Sequence, residues 1–113
     1  MPSLSLRINL DPEGRIGPGK IELLEQIATF GSISAGARRM NMSYKHAWDL
    51  VEEMNLLFGK PVLSAQKGGK RGGGATLTET GLALVTRLRA IERAAIAAAE
   101  PHIAALQAEI TPA

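Results

Sequence analysis

Apolar and polar residues alternate from Leu4 to Asp11, which places Leu4, Leu6, Ile8 and Leu10 on one face and predicts a strand. The turn-forming run DPEGRIGPG follows, and the period then changes. In KIELLEQIATF, residues Ile21, Leu24, Ile27 and Ala28 recur at helical spacing, and Gly31 is suited to end that helix. Ser32 or Ser34 can cap a short second helix running through Met40. Asn41 tolerates the left-handed backbone of a tight turn. Ser43 can then cap a third helix from about Tyr44 to Phe58, closed by Gly59 and Pro61. VLSAQ and ATL predict short strands on either side of a glycine-rich run. Thr78 caps a last helix, ETGLALVTRLRAIERAAIAAAE, which Pro101 is expected to end or kink before HIAALQAEI adds a turn or two.

The predicted order is strand, three helices, hairpin, long helix: a mainly α fold with one small β hairpin. No repeat or linker divides the 113 residues, which are enough for one modest core. The absence of cysteine excludes disulfides and thiolate zinc sites, and His46 and His102 stand too far apart to suggest a histidine metal cluster. No nucleophile, base and oxyanion donor can be grouped, so neither an enzyme nor a cofactor is expected. The N-terminus lacks the apolar core of a signal peptide, and no run approaches membrane-spanning length. The expected setting is the cytoplasm, with no membrane partner.

Charge sharpens the picture. Between Glu53 and Glu79 there is no acid, whereas Lys60, Lys67, Lys70 and Arg71 all fall there. Such a zone suits a polyanion, and it equally suits a solvated loop. Within it, QKGGKRGGGATL fails the P-loop pattern because Arg71 follows Gly69-Lys70, and fails the dinucleotide pattern because Leu77 replaces the third glycine.

The neighbouring helices favour the polyanion. Ala37 is small enough for a close helix crossing, and Asn41 sits where the turn needs positive φ. Met40, Met42, Ala47 and Leu50 take the positions buried when two helices meet near a right angle, which is the helix-turn-helix arrangement. In the third helix Ala47, Leu50, Val51, Met54 and Phe58 form one apolar stripe, and Lys45, Asp49 and Glu52 point away from it. The first turns, which in a recognition helix reach base edges, offer Ser43, Tyr44, Lys45, His46 and Asp49; Glu52 and Glu53 lie further along. Tyr44 and Trp48 flank the stripe, where core packing and DNA contact are both open to them. A hairpin tipped with Lys67, Lys70 and Arg71 directly after such a helix pair reads as a wing, its glycines permitting close backbone approach and its cations releasing counterions.

GSISAGA, MSYKHAWDLVEEMN, the GG before GGGATLT, and the following ETG resemble the N-terminal DNA-binding domain of the ModE family of molybdate-responsive transcription regulators. A looser similarity extends to the winged domains of LysR-type regulators. The resemblance implies a winged helix-turn-helix domain over residues 1–80, followed over residues 81–113 by a long C-terminal helix that dimerises. It implies a homodimer on palindromic double-stranded DNA. It places the recognition segment at Ser43, Tyr44, Lys45, His46, Trp48 and Asp49, and the wing at Gly68 to Gly74, with Lys67, Gly69, Lys70 and Arg71 as its contacts. Full-length members carry molybdate-binding domains after the long helix; this sequence ends at Ala113, so direct molybdate binding is not expected.

In the last helix Leu84, Leu88, Ile91, Ala95 and Ala98 recur at alternating steps of four and three, the spacing of a coiled-coil seam. Arg87, Arg89, Glu92 and Arg93 could line its edges, while Leu82 and Val85 are expected to pack back on the domain. The leading expectation is a sequence-specific transcription regulator. A non-specific architectural DNA-binding protein, or a dimerisation module without operator binding, are the alternatives.

Overall fold

The computed structural model describes residues 2–69 and 72–110. Only the end of the N-terminal alternation pairs as a strand. β1 (Ile8–Leu10) meets β2 (Gly14–Ile16) antiparallel, with Ile8 opposite Ile16 and Leu10 opposite Gly14. The sequence predicted one strand from Leu4 to Asp11 and a plain turn after it, so β2 is a correction. Its three residues are too few to show a period, and they are held by tertiary contacts. Ile16 is fully buried, and a side chain at Gly14 would collide with Leu57.

α1 (Pro18–Phe30) begins with proline in its first turn, where the missing N–H costs nothing, and ends at Gly31, whose φ of 84° is left-handed. It buries Ile21, Leu23, Leu24 and Ile27. Leu23 therefore takes a core position and Ala28 is exposed, the reverse of the spacing argument. α2 (Ile33–Arg39) is capped by Ser32, whose hydroxyl accepts the Ala35 N–H at 3.0 Å. α3 (Tyr44–Phe58) is capped by Ser43 and closed by Gly59 at φ 64°. Its inward stripe is Ala47, Val51 and Met54, with Leu50 and Phe58 partly buried beside them.

The second hairpin pairs β3 (Leu63–Gly69) with β4 (Gly72–Leu77) antiparallel, from Leu63 opposite Leu77 to Gly69 opposite Gly72, with an irregular register between Gln66 and Gly69. The strands run further into the glycines than VLSAQ and ATL suggested. Three groups anchor the hairpin's base. The Asn55 side-chain oxygen accepts the Val62 N–H at 2.8 Å, the Thr78 N–H donates to the Val62 carbonyl at 3.1 Å, and the Thr78 hydroxyl donates to the Pro61 carbonyl at 2.7 Å. The Ala75 N–H donates to the Gly31 carbonyl at 2.7 Å, which ties β4 to the end of α1.

Thr78 also caps α4 (Glu79–Ala108) by accepting the Gly81 N–H at 3.1 Å. Gly81 lies so close to the Val62 carbonyl that any side chain there would displace the hairpin. α4 is 30 residues long and continues through Pro101, which neither ends nor interrupts it. The carbonyl that loses its partner is Ala97's, on an exposed turn where water can replace the bond.

An ion pair joins α1 to α4. The Arg89 guanidinium donates from Nε to Glu25 Oε2 at 3.0 Å and from Nη2 to the other Glu25 oxygen, and from Nη1 to Glu92 Oε1 at 2.7 Å. These bonds, Glu25 first, hold the arginine still more firmly in its charged form than usual. The fork-to-fork geometry and partial burial make this stronger than an ordinary surface pair. Arg89→Met is expected to lower the unfolding free energy by about 1–3 kcal/mol, because Glu25 loses a charge-assisted bidentate partner. Urea unfolding at fixed protein concentration checks this: the midpoint should fall at constant m-value, and an unchanged midpoint would show that α4 is held by apolar packing alone.

Candidate nucleic-acid interface

α2 and α3 are joined by a turn whose geometry follows from its sequence. The Met40 N–H closes on the Gly36 carbonyl at 3.1 Å, Asn41 takes φ 54°, and the Met42 N–H returns to the Ala37 carbonyl at 3.0 Å. Met40, Met42 and Leu50 lie partly buried against the core and Ala47 fully buried. Ala37 is buried as the small-residue argument requires, yet the tightest approach is at Gly36, where a Cβ would stand 2.5 Å from Ile27 Cγ1 and 3.1 Å from its Cα. Sequence singles out the alanine because only a neighbour's position shows which small residue lies at the crossing.

With its inner face committed, α3 presents its first turns outward. Ser43, Tyr44, Lys45, His46, Trp48 and Asp49 are all exposed, so the structure brings the whole predicted recognition segment onto one accessible end of the helix. Tyr44 is 57% exposed and Trp48 41%, which settles their placement on the surface side of the stripe rather than within the core. The Ser43 hydroxyl accepts the His46 N–H at 3.0 Å. The positive end of the helix dipole thus sits beside Lys45 and His46. Lys45 Nζ pairs with Asp49 Oδ2 at 3.1 Å across one turn; both side chains are exposed, so the pair separates at little cost. The two remaining acids of α3 face other partners: Glu53 meets Lys20 at 3.0 Å and Glu52 accepts from Asn55 at 2.9 Å.

The hairpin's predicted contacts are only partly located. Lys67 and Gly69 belong to β3, and Lys70 and Arg71 lie outside the described residues. Two cations not singled out from the sequence, Arg38 and Arg39, occupy the last turn of α2 just before the turn into α3. A signal was present, since no Asp or Glu occurs between Glu25 and Asp49.

The predicted seam of α4 divides. Leu84 belongs to the domain's own core and Leu88 is partly buried against it, whereas Ile91 is 43% exposed, Ala95 half-buried and Ala98 exposed. Val85 packs on the core as expected, but Leu82 is exposed, on the far side of the helix from Leu84. Arg89, expected along the seam's edge, pairs with Glu25 of α1 and with Glu92 one turn further along α4. Further along, Ile96, Leu106 and Ile110 are exposed; with Ala99 and Ile103 they recur at steps of three and four. The stripe followed from Leu84 reaches His102 and Glu109 instead, so it misses this second apolar line. Among the described residues no helix is long and apolar enough to cross a membrane, and no group of three acids or histidines could hold a metal ion.

No family model matches the chain. It is 50% identical over 78 residues to the molybdenum-pterin-binding protein MopB of Rhodobacter capsulatus, a match covering 69% of this chain and 29% of that protein. It is 48% identical over 68 residues to the DNA-binding transcriptional dual regulator ModE of Escherichia coli (strain K12), covering 60% of this chain and 26% of the regulator. The molybdenum transport protein ModE of Azotobacter vinelandii is 39% identical over 88 residues, covering 76% of this chain and 33% of that protein. The chain thus spans a third or less of the length of these curated relatives.

Ser43 has a structural task that can be separated from any contact with a ligand. Ser43→Ala should cost about 1 kcal/mol of stability through loss of the cap, whereas Ser43→Asp should retain it. Thermal unfolding of the two variants against wild type gives the comparison, and equal midpoints for all three would show that the cap contributes nothing.

Proposed function

We propose that this chain is a ModE-type DNA-reading unit: a winged helix-turn-helix whose α3 enters the major groove and whose β3–β4 hairpin lies on the phosphate backbone. The observation that carries this reading is the exposure of Tyr44 and Trp48 beside Lys45 and His46 on a helix whose other face packs on the core. Exposed aromatics among cations at a helix N-terminus suit a groove that offers phosphates, base edges and thymine methyls. Similarity to a protein named as a DNA-binding transcriptional regulator supports it. The molybdenum binding that another relative's name records is not carried over, because the match covers under a third of that protein. The function proposed is therefore sequence-specific transcription regulation. The test uses a fragment selected from genomic DNA by binding. Tyr44→Ala with Lys45→Ala should weaken its binding by about 1–3 kcal/mol for each bidentate base interaction removed. Footprinting under excess competitor should show a defined protected sequence for wild type. Protection without sequence preference would favour an architectural DNA-binding protein, and unchanged affinity in the double variant would remove α3 from the groove.

We further propose a homodimer that presents two recognition helices to a palindrome, joined through the part of α4 beyond Arg89. Leu88 is a poor probe because it also touches the domain core. Ile91→Lys with Ile96→Lys places charges only on exposed positions. Sedimentation velocity should show wild-type dimers at micromolar concentration and folded monomers for the variant, with loss of binding to the selected fragment. A monomeric wild type, with or without DNA, would overturn the dimer.

A further inference from the structure

From Gln26 to Trp48 the chain carries no acid, and its cations there are Arg38, Arg39 and Lys45. The structure gives the two arginines an arrangement unlike that of the paired cations. Lys20, Lys45 and Arg89 each meet a carboxylate. Arg38 instead donates from Nη1 to the Ser34 hydroxyl at 3.2 Å, and the Arg39 guanidinium lies 4.7 Å from the centroid of the Phe30 ring. Both partners are neutral, so among the described residues the charges are oriented without being cancelled. Both arginines are exposed, and so is Phe30.

Their position in the fold gives that charge a direction. Arg39 stands four residues before Ser43, across the tight turn that sets the start of α3. Through Phe30 it touches the end of α1, and the next residue, Gly31, accepts the Ala75 N–H of β4. Two contacts, through Phe30 and Gly31, therefore link Arg39 to β4 of the hairpin, and one turn links it to the exposed end of α3. Stacking on a ring leaves the edge donors of a guanidinium free, and a planar fork matches two oxygens of a phosphodiester.

We propose that Arg38 and Arg39 form a backbone clamp on double-stranded DNA, each holding a phosphate beside the segment read by α3. The inference rests on the reading of α3 as a groove-binding helix and adds a contact that fixes its register. The competing role is structural: cations in the last turn of α2 favour the helix dipole. A structural role would alter stability and leave the salt dependence of DNA binding untouched.

The probe is a labelled mixed-sequence DNA duplex, titrated with the full chain across a potassium chloride series. Arg38→Ala with Arg39→Ala should make the slope of log K against log salt shallower by roughly 1.8, about 0.9 for each phosphate released. Arg38→Lys with Arg39→Lys should restore most of the slope, because charge sets it. In unmodified protein, the duplex should protect Arg38 and Arg39 from phenylglyoxal, mapped by mass spectrometry, while Arg7 and Arg15 react as before; this arm needs no variant to fold. If wild type binds the duplex, an unchanged slope in the folded alanine variant or unprotected arginines overturns the clamp and leaves the α3 reading standing. If wild type binds neither this duplex nor any selected fragment, the reading of α3 fails and the clamp with it.

Discussion

The missing side chain at Gly36 sets the geometry on which the rest of the exposed surface depends. It allows the backbone of α2 to lie against Ile27, a fully buried residue of α1. With α2 seated that closely, the turn through Asn41 has one direction in which to release the chain, and α3 leaves with Ala47, Val51 and Met54 inward. Any larger residue would have to push α2 off α1 or move Ile27 out of a close-packed interior, and interiors of that density resist both. The outward end of α3 is thus determined by packing on the opposite side of α2.

A second constraint holds the hairpin to the same frame. Thr78 closes the β3–β4 base and starts α4 with the same side chain, and Asn55 near the end of α3 satisfies the Val62 N–H. Between them, the end of α3, both strands and the start of α4 share one hydrogen-bonded network. The Ala75 bond to Gly31 adds α1. The hairpin is therefore positioned by its root, whatever the glycines beyond Gln66 do.

Features decided by local chemistry were legible in the sequence. The caps at Ser43 and Thr78 and the left-handed Asn41 need only a residue and its nearest neighbours, and the structure has them where the spacing put them. The outward placement of Lys45 and Asp49 followed from the helical period, whereas the exposure of Tyr44 and Trp48 on the flank of the stripe did not. What escaped detection depended on distant partners. β2 is visible only through its pairing and through Leu57, and Gly36 gives no sign of outranking Ala37 until Ile27 is placed beside it. Arg89 reads as a surface charge until Glu25, sixty-four positions away, meets it. Pro101 does not end α4 because a lone proline costs one hydrogen bond, and on an exposed turn of a long helix solvent makes up that loss.

The Arg89 clamp has a mechanical consequence. At a rise of about 1.5 Å per residue, α4 is a rod about 45 Å long, held to the body only over its first few turns. A tilt of about 5° at its base would carry the far end through roughly 4 Å, about three quarters of the rise of one helical turn. Arg89 grips Glu25 of α1 about three turns into α4, which shortens the free lever and stiffens its pivot. Angular error at that pivot is multiplied along the length of α4 and appears at its tip.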